Sequence, residues 1–336
     1  MAPPLPFIEV VYGANIMSFA RHKTMSIIEA QLESLELVGL FQEPEHAHVH
    51  VVLSYIFSTG TSAGSAVESA CSDAERSGNL STGRDQADAS KAMALIGEQV
   101  RRRNGTLYSR MGENLYEWPA LHRLWRLACM SPSHLLLYFH NKGATRDLYP
   151  DTRRALSEMA LFKEVVASWR AVRSLFALLH PVVQHAGIAP AEGGWEWFNF
   201  FWVMGNHAMK NVQPIVNTRR HYYESWLAME ASASQCSLAN ETHTHSSSIF
   251  RSMCLLTAQE AVAMENVGVL RARGCESSLN LYDCNIGSCS DPRWAMDNLR
   301  RAEHAVSEEL AKLLGSPLPP KPSLLWTIQN FVSSLG

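Results

Sequence analysis

Apolar and polar positions along the chain fall into two rhythms, and their order predicts the fold. FIEVVYGA (7–14) is a run of apolar and β-branched residues, the pattern of a buried strand. TMSIIEAQLESLELVGLF (24–41) changes period: Ile27, Ile28, Leu32, Leu35 and Val38 recur at helical spacing, and Gly39 supplies the stop. AHVHVVLSYI (47–56) returns to the strand pattern. A β-α-β order of this length implies parallel pairing and an α/β fold. KAMALIGEQVRRR (91–103) and WPALHRLWRLACM (118–130) read as further helices, the second with Pro119 in its first turn. HLLLYFH (134–140) reads as another strand, so strands are expected near 7–13, 47–55 and 134–140. The stretch 151–180 is helical almost throughout, with Asp151 as its cap, and 293–314 forms a last helix before the linker GSPLPPKPS.

One segment lacks both rhythms. Residues 58–90 are rich in Ser, Gly, Ala and Asp, and are expected to be a mobile, low-complexity insertion with at most a short helix. Residues 1–230 then form an α/β domain carrying that insertion. Residues 231–336 form a mainly helical extension packing on the same domain.

Composition narrows the classes. Hydrophobic residues make up 46% and charged residues 18%, as in an ordinary globular protein, and a net charge of -3 gives no reason to expect nucleic acid as a partner. No apolar run reaches membrane-spanning length, and MAPPLPFIEVVYG does not have the layout of a signal peptide, so a cytoplasmic location is expected. Seven cysteines without a CxxC pair are expected to be reduced thiols. Cys275, Cys284 and Cys289 could hold a metal or one disulfide, but loop thiols are the simpler reading. His46, His48 and His50 alternate, so they share one strand face, expected to be partly solvated rather than metal-binding.

Three places carry candidate chemistry. LLLYFHNKGATR (135–146) drives a core strand into His140, Asn141, Lys142 and Gly143. In open α/β sheets ligands bind outside the carboxyl ends of strands, so this tip lies where chemistry would occur. WEWFNFFW (195–202) holds six aromatics in eight positions. On an extended chain Trp195, Trp197 and Asn199 share one face, either a platform for sugar rings or packing, while Phe198 and Phe200 turn into the core. RRHYYESWL (219–227) sets Glu224 among aromatics. It reads as a base raised in pKa by apolar surroundings, or as a surface carboxylate paired with Arg220 at i,i+4.

YEWPALHRLWRLACMSPSHLLLYFHNKGATR, GGWEWFNFFWVMGN and RRHYYESWL together resemble a group of glycosyltransferases whose strand ends in a Y-x-H-x-K-G signature. The likeness covers roughly residues 7–56 and 107–230. It implies a glycosyltransferase A-like, Rossmann-like α/β sandwich with a mostly parallel sheet and helical C-terminal additions. It also implies transfer of a sugar from a nucleotide-sugar donor to a glycan or glycolipid acceptor. By this resemblance His140, Lys142, Gly143 and Arg146 bind the donor diphosphate, and Trp195, Trp197 and Asn199 bind the acceptor. Glu224 is the catalytic base, with Arg219 or Arg220 pairing with it or gripping phosphate. The chain departs from the usual pattern in having no Asp-x-Asp at a strand end, so no metal ligand is assigned. Lys142 and Arg146 would then supply the cationic charge that a divalent metal otherwise gives. Two other classes stay open: a degenerate, non-catalytic protein binding sugar or nucleotide, and a scaffold using its aromatic surface.

Overall fold

The computed structural model describes residues 4–57, 83–112, 114–141, 152–191, 194–217, 220–231, 234–236, 271–272, 278–281, 285–286 and 292–314. In chain order the first half comprises β1 (Ile8–Met17), α1 (Arg21–Leu37), β2 (Ala47–Ile56), α2 (Gly83–Arg102), β3 (Thr106–Gly112), α3 (Trp118–Met130) and β4 (Leu135–His140). It is followed by α4 (Thr152–Leu161), α5 (Trp169–Leu179), β5 (His185–Gly187), β6 (Phe201–Met204), α6 (Gly205–Ala208) and α7 (Arg220–Ser225). Two short strands, β7 (Met229–Glu230) and β8 (Arg271–Ala272), pair with each other. β9 (Ser278–Asn280), β10 (Asn285–Ile286) and α8 (Pro292–Leu314) end the described chain.

Among the described residues the main sheet has eight strands in the order β3-β2-β1-β4-β6-β5-β9-β10. β1 pairs in parallel with β2 on one side and β4 on the other, and β2 pairs in parallel with β3. β6 runs antiparallel between β4 and β5, and β9 joins β5 in parallel. The result is an α/β, Rossmann-like architecture with a mostly parallel, mixed sheet.

The pleat decides what each face carries, because successive side chains on a strand point to opposite sides. Ile8, Val10, Tyr12, Ala14 and Ile16 of β1 join Val49, Val51 and Leu53 of β2 and Leu135, Leu137 and Phe139 of β4 in one core, covered by α1, α2, α4 and α5. The opposite face belongs to α3, whose Leu121, Leu124 and Trp125 are fully buried over Val11, Val52 and Leu136. That apolar band separates two polar ends. Toward the amino ends lie Glu9, His50 and His134; toward the carboxyl ends lie Gly13, Asn15, Ser54, Tyr138 and His140.

Several expectations need correction. Residues 83–90, read as insertion, form the first turns of α2, where Ala89 is buried and makes helix the better state; residues 58–82 lie outside the described residues. β3 went unpredicted because its TLYSRMG is half-exposed at the end of the sheet and has no apolar alternation. The single helix expected over 151–180 is divided by a π-helical turn at Phe162–Ala167, where the Val165 carbonyl accepts the Trp202 indole N–H at 2.7 Å. Cys129 and Cys236 are not free thiols: they form a disulfide across 107 residues of chain, which no local spacing reveals. His50 is not solvated but buried against Glu9. Cys275, Cys284, Cys289 and Asp151 lie outside the described residues.

Candidate functional site

β1 leads to β2 on one side and has β4 on the other, so a topological switch point lies between β1 and β4. A small pocket of about 10 Å³ lies there at the carboxyl ends. Its walls are Gly13, Asn15, Val52 and Ser54 from β1 and β2, Tyr138 and His140 from β4, and Tyr116, Glu117, Pro119 and Ala120 at the start of α3. Gly13 lets the start of α3 pack close to the strand, since a Cβ there would stand 3.1 Å from Ala120 Cβ and 3.4 Å from His140 Cβ. Asn141 is buried just past the strand end. Its Oδ1 accepts the Asn15 N–H and its Nδ2 donates to the Asn15 carbonyl, both at 2.9 Å. The side chain thus continues the β1–β4 ladder beyond His140.

The carboxylate of this cleft is Glu117. It occupies the N-cap position of α3 but makes no side-chain cap bond, so its oxygens are not spent on the helix. Tyr138 O–H donates to Glu117 Oε2 at 3.4 Å, and Asn199 Nδ2 donates to the same oxygen. His140 Nε2 stands 3.6 Å from Oε1. Burial, and then the charge of Glu117, push the Tyr138 hydroxyl well above the ordinary tyrosine value, so Tyr138 is a neutral donor. The backbone beside Glu117 is unusual. Tyr116 (φ 52°), Phe198 (φ 72°) and Asn199 (φ 58°) all take left-handed conformations. Such conformations disfavour a bulky side chain and persist only where surrounding contacts hold them.

Asn199 therefore reaches the site by a route that strand alternation did not foresee. Trp197–Asn199 is a single 3-10 turn rather than extended chain. Trp195 and Trp197 are half-buried, with rings 5.7 Å apart edge to face, and neither is among the residues lining the cleft. Phe200 is fully buried with its ring 5.7 Å from that of His140, and Phe198 packs on the opposite core. Glu224, in α7, is half-buried and also outside the cleft lining. Its aromatic neighbours are structural: Tyr223 O–H donates to the Asn217 carbonyl at 3.0 Å, and Trp226 Nε1 donates to Val212 at 2.8 Å. Lys142, Gly143, Arg146 and Arg219 lie outside the described residues, as does the side chain of Arg220. The structure brings His140 and Asn199 together around Glu117, which the sequence reading did not single out and whose one signal was a glutamate directly before the W-P helix start.

Two further polar clusters lie elsewhere. At the amino ends Glu9 takes His50 Nε2 at 2.8 Å and His134 Nδ1 at 3.1 Å. Burial raises the Glu9 carboxyl, but the bonds and charges of both histidines outweigh it and leave the value lowered. Under β6, Glu196 and His185 are both fully enclosed and meet at 2.9 Å; burial, only partly offset by His185, leaves the Glu196 carboxyl raised. Among the described residues one group has metal-ligand spacing, Glu43, Glu45 and His46, in the turn before β2. Arg170 already pairs with Glu43 there.

No helix among the described residues is long and apolar enough to cross a membrane. Compared with known proteins, the chain matches no family model, no curated protein and no solved structure. The fold defines the class at the level of an α/β protein of Rossmann-like architecture.

Proposed function

We propose that the protein is a glycosyltransferase of A-like fold, moving a sugar from a nucleotide-sugar donor to a glycan or glycolipid acceptor. The observation that supports this reading is the small pocket between β1 and β4, where His140 at the strand end stands 3.6 Å from Glu117 at the carboxyl ends of a parallel sheet. Switch-point clefts of this architecture suit nucleotides. The donor diphosphate belongs with the chain leaving β4, where the sequence supplies Lys142, Gly143 and Arg146. Their cationic charge would offset the leaving group without a metal. His140 orients the donor, and the acceptor enters from the side of Trp195 and Trp197.

Turnover of UDP-, GDP- and dTDP-sugars, with and without chelator, tests the reading. A donor is expected to be consumed with chelator present, and Lys142→Ala is expected to slow turnover about 100-fold. A protein that neither turns over a donor nor binds a free nucleotide by calorimetry overturns it. Because no Asp-x-Asp ends a strand, a non-catalytic binding role is the second reading; nucleotide binding without turnover would establish it.

A further inference from the structure

We propose that residues 195–199 form a latched strap beside the pocket, with the buried His185–Glu196 pair as its latch and the Asn199–Glu117 bond as its second fastening. This goes beyond the transferase reading above and holds for any ligand of the pocket. The pocket has about 10 Å³, room for about one water molecule. Sites for small molecules commonly have about 300–1,000 Å³. A wall must therefore move before a ligand enters.

The strap meets the pocket at two of its lining residues. Asn199 Nδ2 donates to Glu117 Oε2, and the ring of Phe200, next in the chain, lies 5.7 Å from that of His140. The strap backbone is under constraint. Phe198 (φ 72°) and Asn199 (φ 58°) are both left-handed, a conformation that non-glycine residues keep only where surrounding contacts hold it. Two backbone bonds tie the strap to the chain before it: the Ala191 N–H donates to the Trp195 carbonyl at 2.7 Å and the Trp197 N–H to the Ala189 carbonyl at 3.1 Å. A third closes the turn, from the Asn199 N–H to the Glu196 carbonyl at 3.3 Å.

The latch is one polar contact in an enclosed place. His185, on β5, and Glu196 are both fully enclosed, and Nδ1 meets Oε1 at 2.9 Å. His185 Nε2 and Glu196 Oε2 make no hydrogen bond. A Cβ at Gly187 would collide with the Glu196 carboxyl, so the glycine is what lets that carboxyl lie against β5. Apolar side chains filling the same space would often hold as firmly. A pair joined through one oxygen, with its other polar atoms kept from water, regains hydration when it leaves. Its stable states are enclosed and released, with little between them. Release of Glu196 takes Trp195 and Trp197 with it, and through the 197–199 turn it draws Asn199 from Glu117.

Amide exchange followed residue by residue by NMR, on the full chain with its disulfide formed, tests the strap. Glu117→Ala removes the acceptor of Asn199 and leaves the strap sequence intact. It is expected to speed exchange of the Ala191 and Trp197 amides by about tenfold or more, although neither amide bonds Glu117. The Val10 and Val49 amides, deep in the sheet, are expected to change by less than about twofold. Glu196→Leu, at the other fastening, is expected to speed the same two strap amides and to shift the Asn199 side-chain amide resonance. Unchanged Ala191 and Trp197 amides in folded Glu117→Ala overturn the proposal, because the two fastenings then act separately. Equal acceleration throughout the sheet overturns it as well, because the effect is then general destabilisation. If Glu196→Leu does not fold, Glu117→Ala decides alone. None of these readouts needs turnover, so a failed strap leaves the transferase reading standing, and a protein inert toward donors leaves the strap standing.

Discussion

Glu9 is a carboxylate made tolerable in a nearly dry place by two imidazoles. Its lowered value fixes the sign of a pH effect: the stabilisation is present above the ordinary carboxyl value of 4.5 and is lost as pH falls through the lower folded value. Glu9→Gln is therefore expected to cost about 1–3 kcal/mol at pH 7, and the gap between variant and wild type should narrow when pH is lowered from 7 to below the carboxyl range. Urea midpoints at both pH values check this; an equal gap at both would show that the effect is one of shape. Gly13 tests the cleft instead. A methyl group there meets Ala120 and His140, so Gly13→Ala is expected to cost about 1 kcal/mol of stability and to weaken nucleotide binding by about tenfold, read by calorimetry. At this scale the strand tip at His140 was legible because a run of five apolar and aromatic residues, Leu135–Phe139, ended on it. Glu117 was not, because capping rules look for Ser, Thr, Asp or Asn, and because its partner Asn199 lies 82 residues away in sequence.

α3 joins the two ends of its sheet face. Its first residue is held by Trp118 Nε1 donating to the Pro214 carbonyl at 2.9 Å, and its last turn is tied through Cys129 to Cys236. Leu124 in its middle is fully buried, so Leu124→Ala is expected to cost about 2–5 kcal/mol, seen as a lower denaturation midpoint. Replacing both cysteines by serine frees a long loop in the unfolded chain. A loss of about 2–4 kcal/mol is expected, checked by comparing thermal melts of the variant and the oxidised protein. No change would mean that the pair is not bonded in solution. Helices with a clear apolar stripe were legible nearly to the residue: WPALHRLWRLACM is α3. What escaped were elements set by tertiary contact. β3 is a half-polar strand stabilised by pairing with β2, and the 197–199 turn bends against its own strand-like sequence.

For the molecule as a whole, the β-α-β opening was enough to give the parallel core, since Val, Ile and Leu runs on β1, β2 and β4 are buried on both faces. The antiparallel pairing of β6 and the strands β9 and β10 could not be read, because they are four residues long or shorter and take their order from the neighbours they meet. The face under α3 has a consequence for how the protein can change. Glu9 and Gly13 are four residues apart on one strand, about 13 Å, with the Val11, Val52 and Leu136 band between the polar ends. Sites that far apart without shared partners contribute independently. Glu9→Gln and Glu117→Gln together are expected to lower stability by the sum of their separate losses, within about 0.5 kcal/mol. The carboxyl end of the sheet is in this sense a replaceable socket. Substitutions that retune its chemistry leave the anchoring at the amino end untouched, so new specificity can be tried there without first rebuilding the fold.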